Sequence, residues 1–191
     1  MDINNLLKER SGIKLDIGCG KQKQGPDWIG ADMHAFPGVD LVFDFNVHPW
    51  PLPDECVITA ICSHVLEHIP KVALDYNRPN NPTRFPLLEF MNEIWRVMKP
   101  DGHLAIAVPH GASESFIQDP THTAQVNEIL FYYFDPLFKA GDAPPGYLYS
   151  FYKAKPWQIM PGPRGEPLLF YDTSGYVEVV LIKRRMDVSY E

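Results

Sequence analysis

Lys14-Leu15-Asp16-Ile17-Gly18-Cys19-Gly20 is the stretch on which the fold turns. Ile13 to Ile17 is a short apolar run with one acid, and it ends in two glycines flanking a cysteine. That pattern predicts a buried strand followed by a sharp turn. Glycine lets a backbone approach a ligand closely and present its amides. A dinucleotide fingerprint requires a third glycine at position 23, where this chain has Lys23. No Gly-Lys-Ser/Thr of a P-loop follows. Pyrophosphate binding is therefore disfavoured, while a nucleoside-like ligand is permitted.

Outward from this turn, the chain alternates strands with connections. Trp28 to Ala31 reads as a second strand closed by Asp32, and Val39 to Phe43 as a third closed by Asp44. Val57 to Cys62 reads as a fourth, closed by Ser63-His64. Residues 64–69 start a helix that Pro70 stops. Residues 71–84 are polar, rich in Asn and Pro, and read as an inserted loop. From Pro86 the period becomes helical, with Leu87, Met91, Ile94 and Met98 on one face and Glu89, Asn92, Glu93 and Arg96 on the other. Lys99-Pro100-Asp101-Gly102 is a turn. Leu104 to Val108 is then a strand apolar on both faces, which suits a parallel sheet covered on both sides.

Beyond Pro109, residues 123–139 suggest an aromatic-rich helix and residues 140–165 mostly loop. Leu168 to Tyr171 and Tyr176 to Lys183 suggest an antiparallel hairpin around Asp172-Thr173-Ser174-Gly175. The expected fold is α/β: a Rossmann-like, mostly parallel sheet with flanking helices and a C-terminal antiparallel hairpin. Residues 1–191 are expected to form one domain, with insertions at about 71–84 and 110–165. The first crossover is short. Lys21 to Asp27 falls below the length of about a dozen residues that a helical crossover needs, so a loop or single turn is expected.

Composition narrows the function. The 191 residues are 45% hydrophobic and 21% charged, enough for a sizeable core without disulfides. A net charge of −7 argues against nucleic acid, which calls for a basic face. The basic run Lys183-Arg184-Arg185 reads as a solvated end of a strand. Cys19, Cys56 and Cys62 show no CxxC spacing and read as reduced thiols in a cytoplasm. The stretch MDINNLLKERSG lacks the apolar core of a signal peptide, and no apolar run approaches the length of a membrane span. A soluble, cytoplasmic protein is the expectation.

The strand ends carry the chemistry. In an open parallel sheet, ligands bind beyond the carboxyl ends of the strands. Asp32 is placed to accept both hydroxyls of a ribose. Asp44 and the Phe45 amide suit an adenine amino group and ring nitrogen. Ser63-His64 and Pro109-His110 close two further strands.

At this point the chain resembles a known family. Leu15-Asp16-Ile17-Gly18-Cys19-Gly20 resembles the first motif of class I S-adenosylmethionine (SAM)-dependent methyltransferases, and Ile29-Gly30-Ala31-Asp32 their second acidic position. His64-Val65-Leu66-Glu67-His68-Ile69 and the segment Glu93 to Leu104 resemble the type-11-like branch. The resemblance covers roughly residues 13–110. It implies SAM as cofactor and S-adenosylhomocysteine (SAH) as product. Asp16, Gly18 and Gly20 would line the methionine part, Asp32 would hold the ribose, and Asp44 and Phe45 would face the adenine. Ser63 and His64 would stand near the sulfonium. A base is needed only if the acceptor arrives protonated. His110 is the first candidate, followed by His64 and His122. The acidic charge favours a small-molecule acceptor.

Phe131, Tyr132, Tyr133, Phe134, Tyr147, Tyr149, Phe151, Tyr152 and Trp157 form either an acceptor pocket or plain core. No metal is expected. One rival reading is a zinc hydrolase, because His64-x-x-Glu67-His68 fits the inverted H-x-x-E-H pattern with Glu89 or Glu93 as third ligand. Another is a methyltransferase-like binding subunit without catalysis.

Overall fold

The computed structural model describes residues 11–78, 80–138, 141, 148 and 152–184. In chain order its elements are β1 (Ile13–Ile17), β2 (Trp28–Asp32), β3 (Leu41–Val42), β4 (Val57–Ser63), β5 (Ala73–Leu74), β6 (Thr83–Arg84), α1 (Pro86–Val97), β7 (Met98–Pro109), α2 (Glu114–Ile117), α3 (Glu128–Tyr132), β8 (Trp157–Ile159), β9 (Leu169–Tyr171) and β10 (Tyr176–Lys183). The main sheet runs β3-β2-β1-β4-β7-β10-β8, with β9 also on β10. β3, β2, β1, β4 and β7 are parallel; β10 is antiparallel to β7, β8 and β9. This is the expected mostly parallel sheet with a C-terminal antiparallel hairpin.

The first crossover contains no helix, as its length requires. Its loop is held by Gln24 N–H donating to Asp16 Oδ2 at 2.9 Å and by Lys23 Nζ pairing with Asp40 at 2.6 Å. Asp40 also accepts the Gly30 amide at 2.8 Å.

α1 forms where the apolar period lies, with Pro86 in its first turn, where the missing N–H is harmless. Leu87, Phe90, Met91, Ile94 and Val97 are buried against the sheet. Glu93, read as polar-face, is buried too. It accepts the Trp50 amide at 2.6 Å and pairs with Arg96 at 2.5 Å, which satisfies its charge. Arg96 also donates to Leu52 O at 2.9 Å. These bonds pin the segment between β3 and β4, whose Phe45 and Trp50 pack on Phe90.

Several local expectations change. Residues 64–69 give only a single 3₁₀ turn, Leu66–His68, because His64 sits at φ 54° and Pro70 follows. Residues 71–84 carry the hairpin β5–β6. Of the helix read over 123–139, only α3 forms, started by the Asn127 side chain accepting the Leu130 amide. Residues 99–102 do not separate α1 from the next strand. They lie inside β7 at a shift of register against β4. β8 lies in a stretch read as loop. Lys183 is not solvated: it is 2% exposed, and its amine donates to Met98 O at 2.7 Å beside Glu55 and the Trp95 ring. Arg184 pairs with Asp135 at 2.9 Å, and Arg185 lies outside the described residues.

The sheet is not covered equally on both sides. Leu104, Ile106 and Val108 of β7 are buried, as are Val177, Val179 and Leu181 of β10. Their alternating neighbours Ala105, Ala107 and Val180 are half-buried. With Ile61, Leu168 and Phe170 they line a hollow of about 330 Å³. Among the described residues, the helix-free first crossover leaves that side thinly covered.

Candidate active site

The turn after β1 is built by sterics and hydrogen bonds together. Gly18 has φ 73°, and a Cβ there would stand 2.2 Å from Val65 Cγ2, so only glycine fits against the end of β4. The Gly18 and Cys19 amides both donate to Ala31 O, at 2.8 and 3.1 Å. A Cβ on Gly20 would meet nothing within 4 Å, so the turn is open on its outer side.

Asp32 ties this turn to β2. Its Oδ2 accepts the Gly20 amide at 2.9 Å and its Oδ1 accepts the His34 amide at 2.8 Å. Each carboxylate oxygen keeps a further lone pair for a ligand hydroxyl. Asp16, 4% exposed, accepts the Gln24 amide. Burial pushes its carboxyl above the usual carboxylate range, and that amide opposes the shift.

A cleft of about 460 Å³ opens at the carboxyl ends of β1, β2 and β4. Of the residues singled out in the sequence, Gly18, Asp32, Asp44, Phe45 and His64 line it. Gly20 and Asp16 adjoin it through the bonds above. Asp44 is exposed and accepts the Asn46 amide at 2.8 Å. Phe45 is largely buried, edge-on to Phe43. His64 has a half-exposed ring, edge-on to Tyr176, and its amide donates to Ala107 O at 2.8 Å. A left-handed non-glycine residue costs about 1–3 kcal/mol and tends to mark a functional position.

Other candidates lie elsewhere. Ser63 faces the half-covered side of the sheet. His110 lines a separate hollow with Lys71 and Gln125. Its Nδ1 accepts the Ala112 amide at 3.1 Å and its Nε2 stands 3.3 Å from Glu128, so both ring nitrogens are engaged. His122 is stacked on Phe116 and packs edge-on to His68. Phe131, Phe134 and Trp157 are core, Tyr132 packs against it, and Tyr152 meets Phe85. Tyr133 packs on Phe138. Tyr147, Tyr149 and Phe151 lie outside the described residues. A wider hollow of about 860 Å³ along α1 is lined by charges already paired, Arg84 with Glu89 and Arg96 with Glu93. Neither glutamate is free to serve His64 and His68 as a metal ligand.

The cleft also draws in His68 of the rival zinc pattern, together with Met33, His34, Phe36 and Thr121, which sequence reasoning missed. Met33 and His34 directly follow Asp32, so their place beyond a strand end was a usable signal. Thr121 comes from a distant loop and carried none.

No family model matches the sequence, and no curated protein matches it either. Solved structures do match its shape. A SAM-dependent methyltransferase from Archaeoglobus fulgidus aligns over 95% of this chain and 91% of its own, with TM-score 0.51 and 18% identity. The YcgJ protein from Bacillus subtilis aligns over 96% and 98%, with TM-score 0.51 and 15% identity. The CurJ carbon methyltransferase aligns over 91% of this chain and 49% of its own, with TM-score 0.50 and 14% identity.

The fold is that of the class I methyltransferases. Within this methyltransferase fold, the cleft at the ends of β1, β2 and β4 gathers the glycine turn, the β2 acid and His64. The methyltransferase sheet is here built with a helix-free first crossover. Among the described residues, no helix is long and apolar enough to cross a membrane.

Proposed function

We propose that this protein is an enzyme that transfers a methyl group from SAM to a small-molecule acceptor, releasing SAH. The observation that carries this reading is Asp32. Its carboxylate is anchored by two backbone amides, lines the cleft, and has lone pairs left for a ribose diol. Gly18 and Gly20 give the methionine part close access to the backbone. Asp44 and Phe45 stand where an adenine edge is expected.

Transfer is an in-line displacement on the methyl carbon of a sulfonium, so alignment and exclusion of water supply most of the catalysis. Of the three base candidates read in the sequence, His64 alone lines the cleft, and it is the one assigned here to meet the acceptor. His110 is engaged by Ala112 and Glu128, which favours a structural role.

The test is calorimetric titration of SAM and SAH into the native protein and into Asp32→Ala. Micromolar binding that is lost in the variant supports the reading. Absence of binding to the native protein overturns it.

A further inference from the structure

Beside the cleft lies a cluster that methyl transfer does not require. Glu67 is 0% exposed, yet neither of its carboxylate oxygens accepts a hydrogen bond among the described residues. His64 Nδ1 stands 3.2 Å from Oε1, at ion-pair distance but outside hydrogen-bond geometry. A buried carboxylate without a partner is unfavourable unless a positive charge compensates it. Ligand atoms of Glu67, His68 and His122 all lie within 4.8 Å of one another. The backbone enforces this meeting of distant segments, since the Thr123 and Ala124 amides both donate to Glu67 O, at 2.8 and 3.0 Å.

The surrounding hydrogen bonds orient both imidazoles. Thr121 donates its hydroxyl proton to Asp119 Oδ1 at 2.6 Å. Its oxygen is therefore an acceptor for His68 Nδ1, 3.1 Å away, which places the ring proton on Nδ1 and a lone pair on Nε2. His122 Nδ1 is 3.0 Å from Phe116 O, which can only accept, so His122 also keeps a lone pair on Nε2. Asp119 Oδ2, 3.7 Å from His122 Nε2, adds negative charge nearby. A histidine whose other nitrogen donates to a carbonyl or polar oxygen is the arrangement found at metal centres.

We propose that Glu67, His68 and His122 bind one divalent transition-metal ion of the zinc type. Two imidazole nitrogens and one carboxylate suit zinc and its neighbours better than calcium or magnesium, and they leave a coordination position open. Because His68 and Thr121 line the cleft, the site adjoins the space where an acceptor would enter, a consequence that rests on the methyltransferase reading. The zinc pattern noted in the sequence paired His64 with His68. The structure exchanges His64 for His122, because residues 64–69 do not form a helix that would set the first pair on one face.

The test uses the full chain, stripped with chelator and titrated with zinc in the absence of SAM, by calorimetry and metal analysis. One equivalent should bind with micromolar or tighter affinity. His122→Ala and His68→Ala should each weaken binding by more than about tenfold, and Thr121→Val, which removes the acceptor that orients His68 and the donor to Asp119, by about tenfold. Cobalt(II) in place of zinc should give visible d–d bands without an intense thiolate charge-transfer band. Absence of stoichiometric binding overturns the site. So does affinity unchanged in the folded variants, or a thiolate band pointing to the cysteines. Should an alanine variant fail to fold, His122→Gln and Thr121→Val carry the comparison. Since no SAM is present, failure here leaves the methyltransferase reading standing, and failure to bind SAM leaves this site standing.

Discussion

Asp32 Oδ2 accepts the Gly20 amide proton at 2.9 Å, so the glycine turn after β1 and the acid closing β2 form one rigid unit. Replacing Asp32 by Asn keeps the shape but turns one acceptor into a donor. The amide can then satisfy only one of the Gly20 and His34 N–H groups. We expect a loss of about 1–3 kcal/mol in stability and a fall in SAH affinity of about tenfold or more. Chemical denaturation and calorimetry on Asp32→Asn read both, and a variant that kept native affinity would remove Asp32 from the ligand site.

Gly18→Ala meets two obstacles, a positive φ and a Cβ at 2.2 Å from Val65 Cγ2. The variant should lose about 2–4 kcal/mol. The double variant Gly18→Ala/Val65→Ala should recover the steric part and not the backbone part. Urea melts on the pair separate the two, and full recovery in the double variant would show that the backbone conformation carries no cost.

Asp16 sets a pH dependence. Its folded-state pKa lies above the ordinary value, chiefly through burial. The stability linked to this group is therefore fully present below the unfolded pKa of about 4 and declines as pH rises through the folded value. Asp16→Asn removes the ionisation. In the absence of ligand the variant should melt higher than the native protein near neutral pH, and the gap should close toward about pH 4. A gap that widened on acidification would contradict the sign of the shift.

Arg96 holds the segment between β3 and β4 through Glu93, Leu52 O and Asp54. Arg96→Met leaves Glu93 as a buried charge with only the Trp50 amide. The expected cost is about 2–4 kcal/mol, since removing one partner strands the other. Glu93→Gln/Arg96→Met, which removes both charges, should be milder than Arg96→Met alone. A double-mutant cycle on thermal or urea unfolding measures the coupling.

Much of this architecture was legible in the sequence. The glycine turn, Asp32 and the hairpin β9–β10 are local patterns, each set by residues adjacent in the chain. What escaped notice depends on distant partners. Glu93 looks solvent-facing by helical period and is buried only because Trp50 and Arg96 meet it. Lys183 looks like a free basic end and is buried because β7 supplies the Met98 carbonyl. The strand Leu104–Val108 carries small apolar residues on its second face. Alanines at 105 and 107 read as core but tolerate partial exposure, and the short first crossover supplies no helix to cover them. In the cleft, strand-end residues were found and Thr121 was not, because its loop is brought there by distant partners, the backbone of Glu67 and the ring of His68.

β10 is the last strand in the described chain, yet it lies inside the sheet, between β7 and β8. During translation, β1, β2, β4 and β7 emerge long before the strand that covers the outer edge of β7. Until residues 176–183 are free to insert, β7 presents unpaired N–H and C=O groups along that edge, the kind of surface that pairs wrongly with other chains. The sheet is thus completed by one of its later strands, and the growing chain carries an open β7 edge until residues 176–183 are in place.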